Sequence, residues 1–357
     1  MVSIDELLRL TVATDGSDLH LKAQSPPLLR KYGELNPMDY PALTSDQIRE
    51  LGYGIITPTQ IERFEEDWEL DSAYQIEGVA RFRVNMFVQR GDIGIVFRVI
   101  PLRVQTMEEL GLPPVCKYFA ERPRGLVLVT GPAGSGKSTT QAAMIDYINK
   151  NDSVHIMTVE DPVEFVHDDI KALVNQRQLD TDTLSFANAL KYVLRQDPDV
   201  ILVGEMRDLE TISLAITAAE TGHLVFGTLH TTDAVQTVDR IIDVFPMFQQ
   251  QQVRMQLSVN LVGIISQTLV KRADGKGRVA AFETLVAVPA IRNLIREAKT
   301  FQIGSMIQTG LKQGMMSLDL YLSTLVKKGL VTVADAEEKA ANLIELRAHL
   351  EAPQEAT

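Results

Sequence analysis

The segment Gly131-Pro132-Ala133-Gly134-Ser135-Gly136-Lys137-Ser138-Thr139 constrains the fold more than any other part of the 357-residue chain. It fits G-x-x-x-x-G-K-[ST], follows the apolar run 126–129 and opens the helical pattern 139–148. Gly131, Gly134 and Gly136 let backbone N–H groups, with those of Ser135 and Thr139, curl around a phosphate at the positive end of a helix. Lys137 can reach β- and γ-phosphates, and the Ser138 hydroxyl can ligate Mg²⁺. A glycine-rich turn without a ligand is the plain alternative, and the complete motif between strand and helix argues against it.

This loop calls for a parallel sheet around it. The apolar runs 126–129, 155–159, 200–203 and 224–229 are short enough for buried strands, and helical stretches separate them, which predicts an α/β sheet covered by helices. Active sites of such sheets form at the carboxyl ends of strands. Glu205 ends one run, where an acid that holds Mg²⁺ or water belongs. Glu160-Asp161-Pro162-Val163-Glu164 ends another. Either cluster alone reads as a solvated loop end or a helix cap; together, after a phosphate loop, they read as a site. His223 and His230 flank 224–229, and seven strand residues span about 23 Å, so the two cannot share a metal.

The first hundred residues mix short helices and strands. Residues 81–100 suggest a hairpin turning at Gly91-Asp92, with Arg83 opposite Ile100 and Asn85 opposite Arg98, so that Arg81, Arg83 and Arg98 share an exposed face. Pro101 and 106–114 break both periodicities, which gives an N-terminal domain over 1–100, a linker over 101–115 and a second domain over 116–357, helical from Pro289. Residues 351–357 read as a frayed tail. In 290–297, Ile291, Leu294 and Ile295 mark a buried helical face and Arg292, Asn293, Arg296 and Glu297 an outward one. Cys116 is the only cysteine, and no run reaches the 18 or so apolar residues of a membrane helix; the most apolar stretch, 257–270, is interrupted by Asn260, Ser266 and Gln267. The chain therefore reads as cytoplasmic. Its net charge of −12 opposes a nucleic-acid partner.

The motifs, taken in order, resemble the type IV pilus retraction ATPases of the PilT type, within the secretion-ATPase superfamily. They are the phosphate loop, the acidic box 160–164, Leu194-Arg-Gln-Asp-Pro-Asp199, Gly204-Glu-Met-Arg-Asp-Leu-Glu-Thr211, Ala219-Glu-Thr-Gly-His223, Gly227-Thr-Leu-His-Thr-Thr232 and Ala290-Ile-Arg-Asn-Leu-Ile-Arg-Glu297. Two positions depart from the pattern: Gln178, where glutamate is expected, and Ala133, where threonine is usual. The resemblance implies a PAS-like N-terminal domain, a RecA-like ATPase core and a homo-hexamer that binds ATP and Mg²⁺. It implies that Glu164 is the general base, that Glu205 holds Mg²⁺ through water, that His230 senses the γ-phosphate and that His223 supports the site. Glu160 would help bind the nucleotide, and Arg83 and Arg98 would bring charge to its phosphates. Its implied partners are an inner-membrane platform protein and a second retraction ATPase, met at the pilus base, peripheral to the inner membrane. A ring-shaped nucleic-acid translocase with a RecA-like core is the alternative, and an assembling nucleotide sensor with little turnover is a third reading. The motif 290–297 would couple nucleotide state to retraction through outward Arg292 and Arg296.

Overall fold

A computed structural model describes residues 3–100 and 102–352. The α/β expectation holds, and the chain divides into two compact units. One runs up to Arg103 and includes Pro162–Val166; the other comprises Val104–Asp161 and the chain from His167. Pro101 and residues 353–357 lie outside the described residues.

In the first unit, helices α1 (Ile4–Ala13), α2 (Ser45–Tyr53) and α3 (Pro58–Asp67) pack on an antiparallel sheet. Its strands are β1 (Asp18–Lys22), β2 (Leu28–Lys31), β3 (Glu34–Pro37), β4 (Glu69–Ile76), β5 (Ala80–Gln89) and β6 (Asp92–Ile100), in the order β3-β2-β1-β6-β5-β4. Thr44 with Gln47 and Thr57 with Gln60 form reciprocal capping boxes that start α2 and α3. Alternate residues Phe82, Val84 and Met86 of β5 are buried with Leu7, Leu8, Ile48 and Phe64 of the helices. The β5–β6 turn falls one residue earlier than the sequence suggested. Arg90 and Gly91 both have positive φ, 51° and 84°, as a tight hairpin turn of right-handed strands requires. The pairing sum therefore shifts by two, parity is kept, and Arg83 lies directly opposite Arg98 rather than Ile100.

In the second unit a seven-stranded sheet runs β13-β12-β7-β11-β10-β8-β9. Its strands are β7 (Gly125–Thr130), β8 (His155–Glu160), β9 (Leu173–Gln178), β10 (Val200–Val203), β11 (Leu224–Leu229), β12 (Leu261–Lys271) and β13 (Arg278–Val286). All pairs are parallel except β12–β13. Every residue of β7, β10 and β11 is buried, which requires helices on both faces. These include α4 (Val115–Ala120), α5 (Lys137–Asn151), α6 (Phe186–Val193), α7 (Leu209–Glu220), α8 (Ala234–Asp243), α9 (Met247–Asn260) and α10 (Pro289–Arg296). Beyond them, α11 (Ile303–Thr309) is followed by α12 (Leu318–Lys327), α13 (Val333–Lys339) and α14 (Leu343–Glu351). The last three form a small core with Val270 of β12 and Ala281 of β13.

The apolar stretch 257–270 is the end of a helix and a core strand, because β12 pairs with β7 on one side and β13 on the other. Within 106–114, Met107 is buried in the core of the unit. One sequence expectation changes in this unit: Arg292 does not point outward. It folds against α9 and donates to the carbonyls of Ala287 (2.7 Å), Ser258 (3.1 Å), Val259 and Leu261 (2.9 Å). Among the described residues no helix is long and apolar enough to cross a membrane.

Candidate functional site

The parallel strands bring the ends of β7, β8, β10 and β11 to one edge of the sheet. From β7 the chain enters the phosphate loop at Gly131 and reaches α5 at Lys137. Gly131 (φ 145°) and Gly136 (φ 91°) hold conformations that L side chains rarely adopt, and a Cβ on Gly131 would lie 2.2 Å from the Gln267 main-chain oxygen. The loop can therefore curve tightly against β12. Lys137 Nζ donates to the carbonyls of Gly131 (2.8 Å) and Pro132 (3.1 Å). Ser138 and Thr139 follow on the first turn of a 15-residue helix, whose N-terminus favours an anion. This cradle fits nucleotide phosphates.

Glu205 follows β10 and His230 follows β11, one strand over. His230 Nε2 lies 2.9 Å from Glu205 Oε1, and Arg207 Nε donates to the same oxygen. Burial pushes the Glu205 carboxyl up, yet the Arg207 hydrogen bond and the charges of Arg207 and His230 outweigh it and hold the group below the usual carboxylate range. The ionised Glu205 carboxylate and the Ser138 hydroxyl are both hard oxygen donors, the kind that suits Mg²⁺ bound with a nucleotide. Glu160 ends β8, where its Oε1 accepts from Thr158 Oγ1 (2.7 Å) and Gln176 Nε2 (3.2 Å). Gly204 permits close approach here, since a Cβ on it would sit 3.1 Å from the Glu160 Cα. Gln178 ends the edge strand directly opposite Glu160, and Ala133 is exposed on the phosphate loop.

Within the same unit, His223 is not brought to this edge. His223 precedes β11, and its main-chain carbonyl accepts from Gly125 N at the start of β7. Six strand residues separate it from the phosphate-loop edge, about 20 Å at the usual rise. Its Nδ1 lies 2.9 Å from the Ala218 carbonyl and 3.2 Å from Thr221 Oγ1, which suits a residue closing the turn after α7. Glu164 is half-buried in Pro162–Val166, a segment of the first unit. Within that unit Arg83 and Arg98 share a face of the β5–β6 pair. Arg83 Nε is 3.7 Å from Asp71 Oδ1 and Arg98 Nε is 2.9 Å from Asp18 Oδ1, which offsets the repulsion of directly opposed like charges.

Sequence reasoning gave no role to Arg207, Gln267 or Glu283. Arg207 stood inside a quoted motif, two residues past Glu205. Glu283 on β13 accepts from Ala234 N, at the start of α8, at 2.8 Å; burial pushes its carboxyl up to about 7. The only sequence signal for Gln267 and Glu283 is a polar side chain interrupting an apolar run.

Residues 74–336 match the family model described as Type II/IV secretion system protein. Over 339 residues the chain is 55% identical to the type IV pilus retraction ATPase PilT of Pseudomonas aeruginosa, covering 95% of this chain and 98% of that one. It is 50% identical over 341 residues to a twitching motility protein of Neisseria gonorrhoeae, covering 95% and 91%. Among solved structures it is similar to the pilus retraction motor PilT with bound ADP, at a TM-score of 0.89 and 46% identity, covering 98% of this chain and all of that one. With the phosphate loop and the Glu205–His230 pair at one edge of its sheet, and with these likenesses along nearly its whole length, the chain belongs to the PilT family of type IV pilus retraction ATPases, within the type II/IV secretion system proteins.

Proposed function

We propose that this protein hydrolyses ATP to power the retraction of type IV pili. The observation that carries the reading is the 55% identity to a retraction ATPase over 95% of the chain, with a complete phosphate loop in place. Mg²⁺ would be held by the Ser138 hydroxyl and, through water, by Glu205, and when bound it supplies charge neutralisation at the β- and γ-phosphates. Lys137 then serves the phosphates in place of the Gly131 and Pro132 carbonyls. Glu164 takes the proton of the attacking water, and Glu160 supports the nucleotide from the end of β8. His230, poised on Glu205, registers the γ-phosphate. His223 acts on the site through α7 and β11 rather than by touch.

The motor works as a homo-hexamer in which Arg83 and Arg98 of a neighbouring subunit reach the nucleotide. That approach exchanges their ion pairs with Asp71 and Asp18 for phosphate oxygens, a charge contribution worth orders of magnitude in phosphoryl transfer. From the cytoplasmic side of the pilus base it acts on an inner-membrane platform protein, alongside a second retraction ATPase. Phosphate release by the purified protein tests the reading. Wild type should turn over ATP without response to single-stranded DNA, and Glu164→Gln should bind ATP while losing most turnover. Stimulation by DNA, or full turnover by Glu164→Gln, would contradict it.

A further inference from the structure

β12 lies beside β7, on the side away from β11, and its polar residues reach the phosphate loop from outside the site. Thr130, the last residue of β7, donates its hydroxyl to Ser266 Oγ at 2.9 Å. One residue further, Gln267 Nε2 donates to the Ser135 carbonyl at 2.7 Å in a buried contact. Gln267 is 3% exposed and Ser135 2%. The same residue borders both ends of the loop: a Cβ on Gly131 would meet the Gln267 main-chain oxygen at 2.2 Å, and one on Gly136 would meet Nε2 at 3.1 Å.

A phosphate loop that turns its N–H groups toward an anion must turn carbonyls away from it, and buried carbonyls need donors. Lys137 supplies donors to Gly131 and Pro132, and Gln267 supplies one to Ser135. Lys137 is also the residue that nucleotide phosphates call on, so the contact from β12 is the one that can persist when they bind. Two further buried atoms, Gln267 Oε1 and Ser135 Oγ, have no hydrogen-bond partner among the described residues. They are an acceptor and a hydroxyl carried by the same two residues that the Gln267–Ser135 bond already joins.

We propose that Gln267 is a positioning residue for ATP hydrolysis: its buried amide on β12 holds the Ser135 carbonyl and thereby sets the curvature with which the phosphate loop grips the nucleotide. It touches no phosphate. The proposal rests on the loop being the nucleotide site, a reading that wild-type turnover tests separately.

Two variants of the full-length protein test it, with kcat, KM for ATP, ADP affinity and melting temperature as readouts. Gln267→Leu keeps the volume and loses the donor, and should lower kcat/KM by about tenfold or more and weaken ADP binding. Gln267→Glu carries the discriminating signature. Its buried carboxyl titrates well above the ordinary range, donates to the Ser135 carbonyl when protonated and repels it when ionised. The activity of Gln267→Glu relative to wild type should therefore climb as pH falls from about 9 to about 6, while the Gln267→Leu ratio stays flat. A flat Gln267→Glu ratio, or a folded Gln267→Leu protein with wild-type kcat and KM, would overturn the proposal. Should Gln267→Leu fail to fold, the Gln267→Glu ratio decides alone.

Discussion

Replacing Arg292 with alanine should destabilise the ATPase unit. The guanidinium spans the C-terminal end of α9, the start of β12 and the residue two before α10, donating to the carbonyls of Ser258, Val259, Leu261 and Ala287. Last-turn carbonyls have no partner within their own helix, and a cation there also complements the helix dipole. A hydrogen bond from a charged donor contributes about 1.5–3 kcal/mol when its loss leaves the acceptor buried. Arg292 is only partly buried, so water recovers part of each bond, and the net loss is about 2–4 kcal/mol rather than the sum of four such bonds. For a unit of this size that lowers the melting temperature by about 5–12 °C. Arg292→Lys should recover little, because a single ammonium cannot span carbonyls that a fork reaches together. Arg296→Ala serves as the internal control. Arg296 is exposed and donates to Asn293 Oδ1, so its loss should change stability by about 0.5 kcal/mol at most. Thermal melts of the three variants check this, and an Arg292→Ala protein that melts with wild type would refute the clamp. If the clamp stands, loss of retraction in an Arg292 variant reports on a dismantled helix end before it reports on any contact with a partner.

Two further predictions rest on charge. Burial raises the Glu283 carboxyl from 4.5 to about 7, so between those values the folded state binds more protons than the unfolded one, and stability falls as pH rises through the window. Glu283→Gln keeps the acceptor for Ala234 N and removes the titration, so thermal melts should show it gaining on wild type from about pH 5 to about pH 8, by up to ~3 kcal/mol; a constant difference would contradict the assignment. Arg83→Ala and Arg98→Ala should impair hydrolysis from outside the ATPase unit, and subunits lacking either arginine, mixed with Lys137→Ala subunits, should recover measurable phosphate release. Mixed rings that assemble and stay inactive at every ratio would remove support for a site shared between neighbours.

The residues legible in the sequence are those whose chemistry is local. Gly131 to Thr139 announce a phosphate cradle because backbone curvature and helix start are encoded in consecutive residues, and Glu205 and His230 were placed by strands whose ends the apolar runs already marked. The hairpin missed by one residue because Gly91 can occupy either position of a two-residue turn; the conformation of Arg90 decided it. Gln267 and Arg292 were illegible for a different reason. Both act on main-chain carbonyls, at Ser135 and in the segment 258–261, and every residue offers such an acceptor whatever its side chain, so no pattern names the partner. The outward reading of Arg292 followed from helical periodicity, which tells a polar from an apolar face but does not register that another helix ends beside the polar one. Likewise 257–270 is apolar throughout most of its length, and hydropathy alone does not separate a helix end from a buried strand.

The central claim is that ATP turnover at the phosphate loop withdraws pili, and fluorescence imaging of labelled pili tests it most directly, in cells whose own retraction motor has been deleted. Wild-type chain should restore shortening events, whereas Lys137→Ala, expressed at the same level and folded, should leave the pili extended because the lysine supplies transition-state charge without packing a core. Shortening at the wild-type rate with Lys137→Ala, or none with a wild-type chain that hydrolyses ATP in the same cells, would contradict the account.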